Sequence, residues 1–472
     1  MARSRVPCRQ QNTLSLFDEA DFAEDRVKPE SKRGGPRGTP AQTKETIREP
    51  LVRDLLERVV SSQNMRAALK RVEQNKGAAG VDGMTVKELR PFLLKRWLSI
   101  KESLLAGTYQ PQPVKRIEIP KPTGGVRLLG IPTVLDRLIQ QAVLQVLTPI
   151  FDPHFSSASY GFRPGKRGHD AVRTARAYVR EGYAWVVDID LEKFFDRVNH
   201  DMLMARVARK VSDKHLLRLI RRFLESGVLI GGLVSATEEG TPQGGPLSPL
   251  LSNVVLDDLD KELERRGHKF IRYADDCNIY VRTRRSGERV KASVTAYLEE
   301  RLRLRVNEEK SAVDRPWKRK FLGFTLYLKD KRIRLADASV KRVKEKIRSL
   351  TQRSAGVSMA ERLKRLNAYL GGWRGYFALS EVPSLFQELD EWLRRRLRMC
   401  QWKQWKRTRT RVRELRALGL KELDVWGAAG SRKSYWRTAG SPPLHKALGN
   451  AYWQAQGFAA LADRYRKVRN AW

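Results

Sequence analysis

Two acidic features dominate the chemistry open to this chain. The run WVVDIDL at 185–191 alternates, so an extended strand carries Trp185, Val187, Ile189 and Leu191 on one side and Asp188 and Asp190 on the other. Asp275 and Asp276 lie between FIRY and CNIYV, two segments rich in aromatic and β-branched residues, which predicts a hairpin with the acids at its tip. The surrounding chain is strongly basic, with 93 Lys and Arg against 53 Asp and Glu and a formal charge of +40. Carboxylates facing a polyanion repel it unless divalent cations lie between them. Mg²⁺ takes one or two carboxylates together with phosphate oxygens, which is the arrangement that phosphoryl transfer requires. Two ions would activate an attacking hydroxyl and stabilise a leaving pyrophosphate. A lone Asp-Asp pair is usually a solvated turn; the second acidic strand and its neighbouring motifs argue for metal.

These residues need elements to hold them. Residues 1–50 mix charge with Pro and Gly and are expected to form a disordered extension. From Leu51 the apolar spacing turns helical, giving two or three helices over 51–106 interrupted by GAAGVDG at 77–83. VKRIEIPKPTGGVRLLGIP predicts a β-hairpin turning at Pro122–Gly125, followed by a helix over 134–147. Beyond Ala336, spacings of three and four predict helices through Val340, Val343, Ile347 and Leu350, through Met359, Leu363, Leu366, Leu370, Trp373 and Phe377, and through Leu385, Leu389, Trp392, Leu393 and Leu397. The last of these runs into a basic tract. Residues 394–416 hold eleven Lys or Arg against one Glu, with Trp402 and Trp405 among them.

Such a charge points to a polyanionic partner, since Lys and Arg release condensed counterions when they neutralise phosphate. A membrane is also anionic, but the chain has no apolar run of about 18 residues and no lipidation motif, so no membrane partner is expected. Cys8, Cys277 and Cys400 are too scattered for a zinc knuckle or a disulfide framework. A reduced, cytoplasmic, nucleic-acid-associated protein without zinc follows from this reading.

The motifs define a resemblance. YADD at 273–276, DLEKFFD at 190–196 and GTPQGGPLSPLLSN at 240–253 occur in the order found in bacterial group II intron-encoded reverse transcriptase/maturases. KGAAGVDGMT near 80, SYGFRPGKRGHDAV from 159, NEEKS from 307 and FLGF from 321 extend the match. The fold it implies is a right-hand polymerase of class α/β plus all-α: fingers and palm with an antiparallel sheet over 51–330, then a helical thumb/maturase domain over 331–415 containing LGGWRGYF, then a basic nucleic-acid-binding extension over 416–472. The chain resembles members that lack a C-terminal HNH endonuclease.

Carried over by position, the resemblance implies catalysis and metal ligation by Asp190 and Asp275, with Asp276 in a lesser role. Physics alone leaves Asp188 as a rival to Asp190. Lys121 and Arg127 match residues that grip the incoming triphosphate, and Gln243 matches one lining the nucleotide pocket. Phe195 resembles the aromatic gate that excludes a 2′-hydroxyl, with Phe194 as a core residue, and Lys310 matches a group near the pyrophosphate. Arg394, Arg395, Arg396, Arg398, Lys403, Lys406, Arg407, Arg409, Arg411 and Arg413 are the candidate nucleic-acid contacts, with Trp and Tyr for stacking. The implied cofactors are two Mg²⁺ ions, with Mn²⁺ as a substitute. The implied partners are group II intron RNA, an RNA template with a DNA primer or a nicked or single-stranded DNA target, and dNTPs. Two alternatives remain open at this level: a maturase that no longer polymerises, and a domesticated enzyme of repair or defence.

Overall fold

The computed structural model describes residues 54–120, 126–230, 233–235, 239–240 and 244–470. The extension expected at 1–50, the hairpin tip at 121–125 with Lys121, and Gln243 lie outside the described residues, as does the side chain of Arg127. The chain forms two compact units, Met1–Ala171 with Val186–Val313, and Val172–Trp185 with Asp314–Trp472.

In the first unit, helices Leu55–Val60, Ser62–Asn75 and Leu89–Leu105 occupy the stretch where helical spacing predicts them. The strands up to residue 314 are β1 (Val114–Pro120), β2 (Val126–Ile131), β3 (Trp185–Ile189), β4 (Val228–Ile230), β5 (Leu233–Ser235), β6 (Lys269–Tyr273), β7 (Asp276–Val281) and β8 (Ala312–Asp314). The predicted hairpin forms, with β1 and β2 antiparallel from Lys115↔Ile131 to Pro120↔Val126. It belongs to a sheet of order β2-β1-β4-β5.

Helix α1 (Val134–Phe151) runs past its expected end at Leu147. Thr133 caps it by accepting from the Asp136 amide. The buried Asp136 carboxylate takes bonds from the hydroxyls of Thr133 (2.7 Å) and Tyr109 (2.9 Å), and burial raises its pKa. Gly80, in the Gly-rich turn, lies so close beneath that a Cβ would come within 2.6 Å of the Thr133 Cα.

The sheet that carries the acids has the order β6-β7-β3-β8, with β6 and β7 antiparallel. Val187, Ile189 and Leu191 are buried as the alternation requires. Val186, on the acids' side, is also buried. That face is therefore covered at its start and opens only toward Asp188 and Asp190, which are half-buried. Helix α2 (Ser248–Arg265) precedes β6.

In the second unit, β9 (Phe324–Leu326) and β10 (Ile333–Leu335) pair antiparallel and lead into α3 (Asp337–Leu350), α4 (Met359–Phe377), α5 (Pro383–Gln404) and α6 (Thr408–Ala417). The three predicted helices are α3, α4 and α5. One apolar core joins Val343, Ile347, Leu366, Phe386, Leu393 and Leu415 to Leu444, Trp453, Leu461 and Tyr465. Residues beyond 416, expected as a separate extension, thus share the core of the thumb helices. Asp390 of α5 fixes the start of the last helix, accepting from the amides of Leu461 and Ala462 at 2.8 Å each. Among the described residues, no helix is long and apolar enough to cross a membrane.

Candidate active site and nucleic-acid surface

Asp190 follows the last residue of β3 and is held by the NEEKS segment. The Asn307 amide donates to its carbonyl (2.8 Å), its own amide donates to the Ser311 hydroxyl (3.0 Å), and Lys310 Nζ lies 3.2 Å from Oδ2. Lys310, expected near the pyrophosphate, is thus an exposed cation paired with the candidate metal ligand.

Ala274 and Asp275 form the two-residue turn between β6 and β7, with Tyr273 paired to Asp276. Ala274 sits at φ 58, a left-handed conformation unusual for a residue with a side chain. The turn is held from beneath. Arg272, fully buried, gives Nε and Nη2 to the Asp260 carboxylate (2.8 and 2.6 Å), Nη1 to Asn253 Oδ1 (2.8 Å) and the Ala274 carbonyl (2.9 Å), and Nη2 also to Ser159 Oγ (2.9 Å). Asn253 in turn donates to the Gly161 carbonyl (2.9 Å). A Cβ on Gly161 would lie 2.2 Å from the Ala274 nitrogen, so the SYGF motif packs backbone to backbone on the turn.

β7 lies next to β3 in the sheet, which brings the YADD hairpin beside the strand leading to Asp190. The buried Cys277 thiol registers this crowding. Burial pushes its pKa up first, and the Asp260, Asp188 and Asp276 carboxylates push it further, with Arg272 opposing them. Asp275 is half-buried and Asp276 exposed. Aspartate oxygens at the open end of a sheet are the hard donors Mg²⁺ takes. Among the described residues, no three His, Cys, Asp or Glu side chains gather into a protein-only cage. The set suits ions shared between carboxylates and a substrate's phosphates.

Phe194 is buried and Phe195 half-buried, their rings 5.2 Å apart and edge-on. Gly240 packs on the Phe195 carbonyl, where a Cβ would come within 2.8 Å, and Gly244 at φ 126 packs on the Gly130 carbonyl of β2. Gly240 is thus seated beside Phe195 and Gly244 beside β2.

In the second unit, much of the basic tract faces protein. Arg398 is 3% exposed and donates to the Ala439 carbonyl (2.8 Å) and to His445, while burial and the neighbouring Arg394 and Arg395 push its pKa down to about 10. Arg395 stacks on Trp436 (4.2 Å) and donates to its carbonyl. Arg396 donates to the Thr351 carbonyl at the end of α3. Arg411 lies over Trp402 (4.5 Å) and donates to the Trp405 carbonyl. Lys403 lies over Tyr435 (5.2 Å) and Arg394 is half-buried. Arg398 as a phosphate contact, and Trp402 and Trp405 as stacking platforms, are corrected: all three are buried because they face inward on α5 or directly after it. Lys406, Arg407, Arg409 and Arg413 are exposed, with Arg413 beside Glu414.

A salt-dependence prediction follows. Replacing Lys406, Arg407 and Arg409 by Gln should flatten a plot of log RNA affinity against log salt by about 2 to 3 units, at roughly 0.7 to 0.9 per lost phosphate contact. Replacing Arg398 should instead lower the melting temperature. An unaltered slope in the triple variant would remove these residues from the RNA surface.

A fingers-like hairpin, an acid-bearing sheet and a following helical unit are the architecture of a palm-type polymerase. Residues 119–326 match the reverse transcriptase (RNA-dependent DNA polymerase) family, and 340–419 match the group II intron, maturase-specific domain. The chain is 32% identical over 302 residues to Protein YkfC of Escherichia coli K12, covering 56% of this chain and 79% of that protein. It is 39% identical over 208 residues to the group II intron-encoded protein LtrA of Lactococcus lactis, covering 43% of this chain and 34% of LtrA. A chain in a partial Cas6-RT-Cas1–Cas2 complex is 29% identical, covering 52% of this chain and 42% of that one, with a TM-score of 0.35. The chain belongs to the group II intron reverse transcriptase/maturase family. Its chemistry is that of a metal-dependent RNA-directed DNA polymerase, joined to a maturase domain that serves intron RNA splicing.

The cradle of Ser159, Gly161, Asn253, Asp260 and Arg272 was not foreseen as functional. The available signal was an arginine inside an otherwise apolar and aromatic strand, FIRY, where burial demands a carboxylate partner.

Proposed function

We propose that Asp190 and Asp275, with Asp276 completing the acidic set, hold two Mg²⁺ ions, or Mn²⁺ in their place, and that the enzyme copies its own intron RNA from a nicked or single-stranded DNA target. The observation that carries this reading is the adjacency of β3 and the YADD hairpin in one sheet. When bound, the metals supply Lewis acidity to the primer hydroxyl and the departing pyrophosphate. The chain's own residues do the rest. Lys121 and Arg127 grip the triphosphate, and Gln243 contacts its sugar or base. Lys310 balances the Asp190 charge and moves to phosphate as substrate arrives. Exposed cations at 406–413 hold intron RNA. The protein acts in the cytoplasm with that RNA.

Phe195 is assigned as the floor of the sugar pocket, because its ring is half-exposed while Phe194 fills the core. Phe195→Ala should admit ribonucleotides, lowering dNTP-over-rNTP discrimination by about 100-fold, since a side chain's steric exclusion of one hydroxyl is worth a few kcal/mol. Primer extension with each nucleotide type measures it. Unchanged discrimination would move the gate to another residue.

A further inference from the structure

We infer that Arg272 is a positioning residue that aims the Asp275 carboxylate, acting through the Ala274 carbonyl, and that Asn253, Ser159 and Asp260 form the frame that aims Arg272. The inference rests on the reading of Asp275 as a metal ligand.

A guanidinium has five N–H donors in a rigid plane, and all five are used here: two on Asp260, and one each on Asn253, Ser159 and the Ala274 carbonyl. Arg272 and Asp260 are both completely buried, so their direction is set by protein and not by solvent. The carbonyl they reach belongs to the peptide that joins Ala274 to Asp275. Fixing that carbonyl fixes the peptide plane from which the aspartate side chain departs. The backbone there needs fixing, because Ala274 is held at a positive φ that an L-residue leaves readily when unrestrained.

The same frame holds the turn from its other side. The Arg272 amide donates to the Ala158 carbonyl (3.0 Å) and its carbonyl accepts from the Tyr160 amide (2.9 Å), so 158–160 runs along β6. Asn253 links Arg272 to the Gly161 carbonyl, and Gly161 touches the Ala274 nitrogen. Residues 158–161, helix α2 and strand β6 thus converge on one peptide. A pair needed only for stability would not have to reach the turn. Arg206 with Asp258 is such a pair elsewhere in the unit, at 2.7 Å.

The test compares Arg272→Lys with Arg206→Lys in the full chain. Lysine keeps the charge beside Asp260 but cannot also span Asn253, Ser159 and the Ala274 carbonyl. Arg272→Lys should lower kcat for primer extension about 100-fold while KM for dNTP stays within about threefold, as for a reacting group displaced by about an ångström. Mn²⁺ alone, titrated by electron paramagnetic resonance, should bind about tenfold more weakly, the usual cost of losing a residue that orients a ligand. Arg206→Lys should lower the melting temperature and change neither readout. If Arg272→Lys gives no cooperative melt, Asn253→Ala, which keeps the Arg272–Asp260 pair, carries the same two measurements with the same expected directions. Parent-like kcat and Mn²⁺ binding in the folded variant, or equal losses in Arg206→Lys, would overturn the inference. Asp275→Asn separates it from its premise: activity there removes the metal assignment itself, whereas an inactive Asp275→Asn beside a parent-like Arg272→Lys removes only the positioning role.

Discussion

Asp275→Asn should reduce primer extension by at least about 1000-fold, equivalent to about 4 kcal/mol of lost transition-state stabilisation. The amide keeps the side chain's size and leaves the turn's backbone contacts with Arg272 and Gly161 untouched, so the loss falls on the charge the ions require. RNA affinity should hold or rise slightly. One carboxylate near a phosphate in water repels it by only about 1 kcal/mol at 4 Å, which is small against the attraction of a surface carrying many cations. The measurement is single-turnover extension alongside filter binding at one salt concentration. Full extension by this variant would overturn the metal assignment.

Gly161→Ala should come second in effect. The added methyl would meet the Ala274 nitrogen at 2.2 Å and the Tyr273 carbonyl carbon at 2.9 Å, and neither is a flexible chain end. Either the SYGF segment or the YADD turn must move. Overpacking of this kind costs about 1 to 3 kcal/mol of stability, which a core of this extent should tolerate. Catalysis is less forgiving, because a shift of about 1 Å at a reacting group costs on the order of 100-fold. The variant should therefore fold, bind RNA as the parent does, and extend primers about 100-fold more slowly. Extension within twofold of the parent in a folded protein would show that the turn does not depend on this contact.

Much of this arrangement was legible in the residues. Alternation in WVVDIDL predicts β3 and the burial of Val187 and Ile189, and the acidic tip between FIRY and CNIYV is the β6–β7 turn. Spacings of three and four locate α3 to α5 because each buries one stripe against a shared core. Alternation failed at Val186, since a strand inside a sheet can be covered on both faces over part of its length.

The basic tract divides between surface and interior, with Lys406, Arg407, Arg409 and Arg413 exposed and Arg398 buried. Counting cations along 394–416 treats them as one surface, yet Arg395, Arg396 and Arg398 find carbonyls at Trp436, Thr351 and Ala439, more than 40 residues away in sequence. Local composition carries no record of such partners. The Arg272 cradle was hidden for the same reason, as Ser159 and Asp260 reach it only through the fold. The sequence links NEEKS to nucleotide chemistry through Lys310, and the fold adds that the Asn307 amide and the Ser311 hydroxyl secure Asp190.

On the proposed function, acids in the first unit carry polymerisation and exposed cations in the second bind intron RNA. The most direct test of this division measures primer extension on a pre-annealed homopolymer template and splicing of the intron RNA flanking the reading frame, for both Asp275→Asn and the Lys406, Arg407 and Arg409 to Gln triple variant. A crossed result is expected: Asp275→Asn splices without extending, and the triple variant extends while splicing poorly. Loss of both activities in a well-folded Asp275→Asn protein would contradict it.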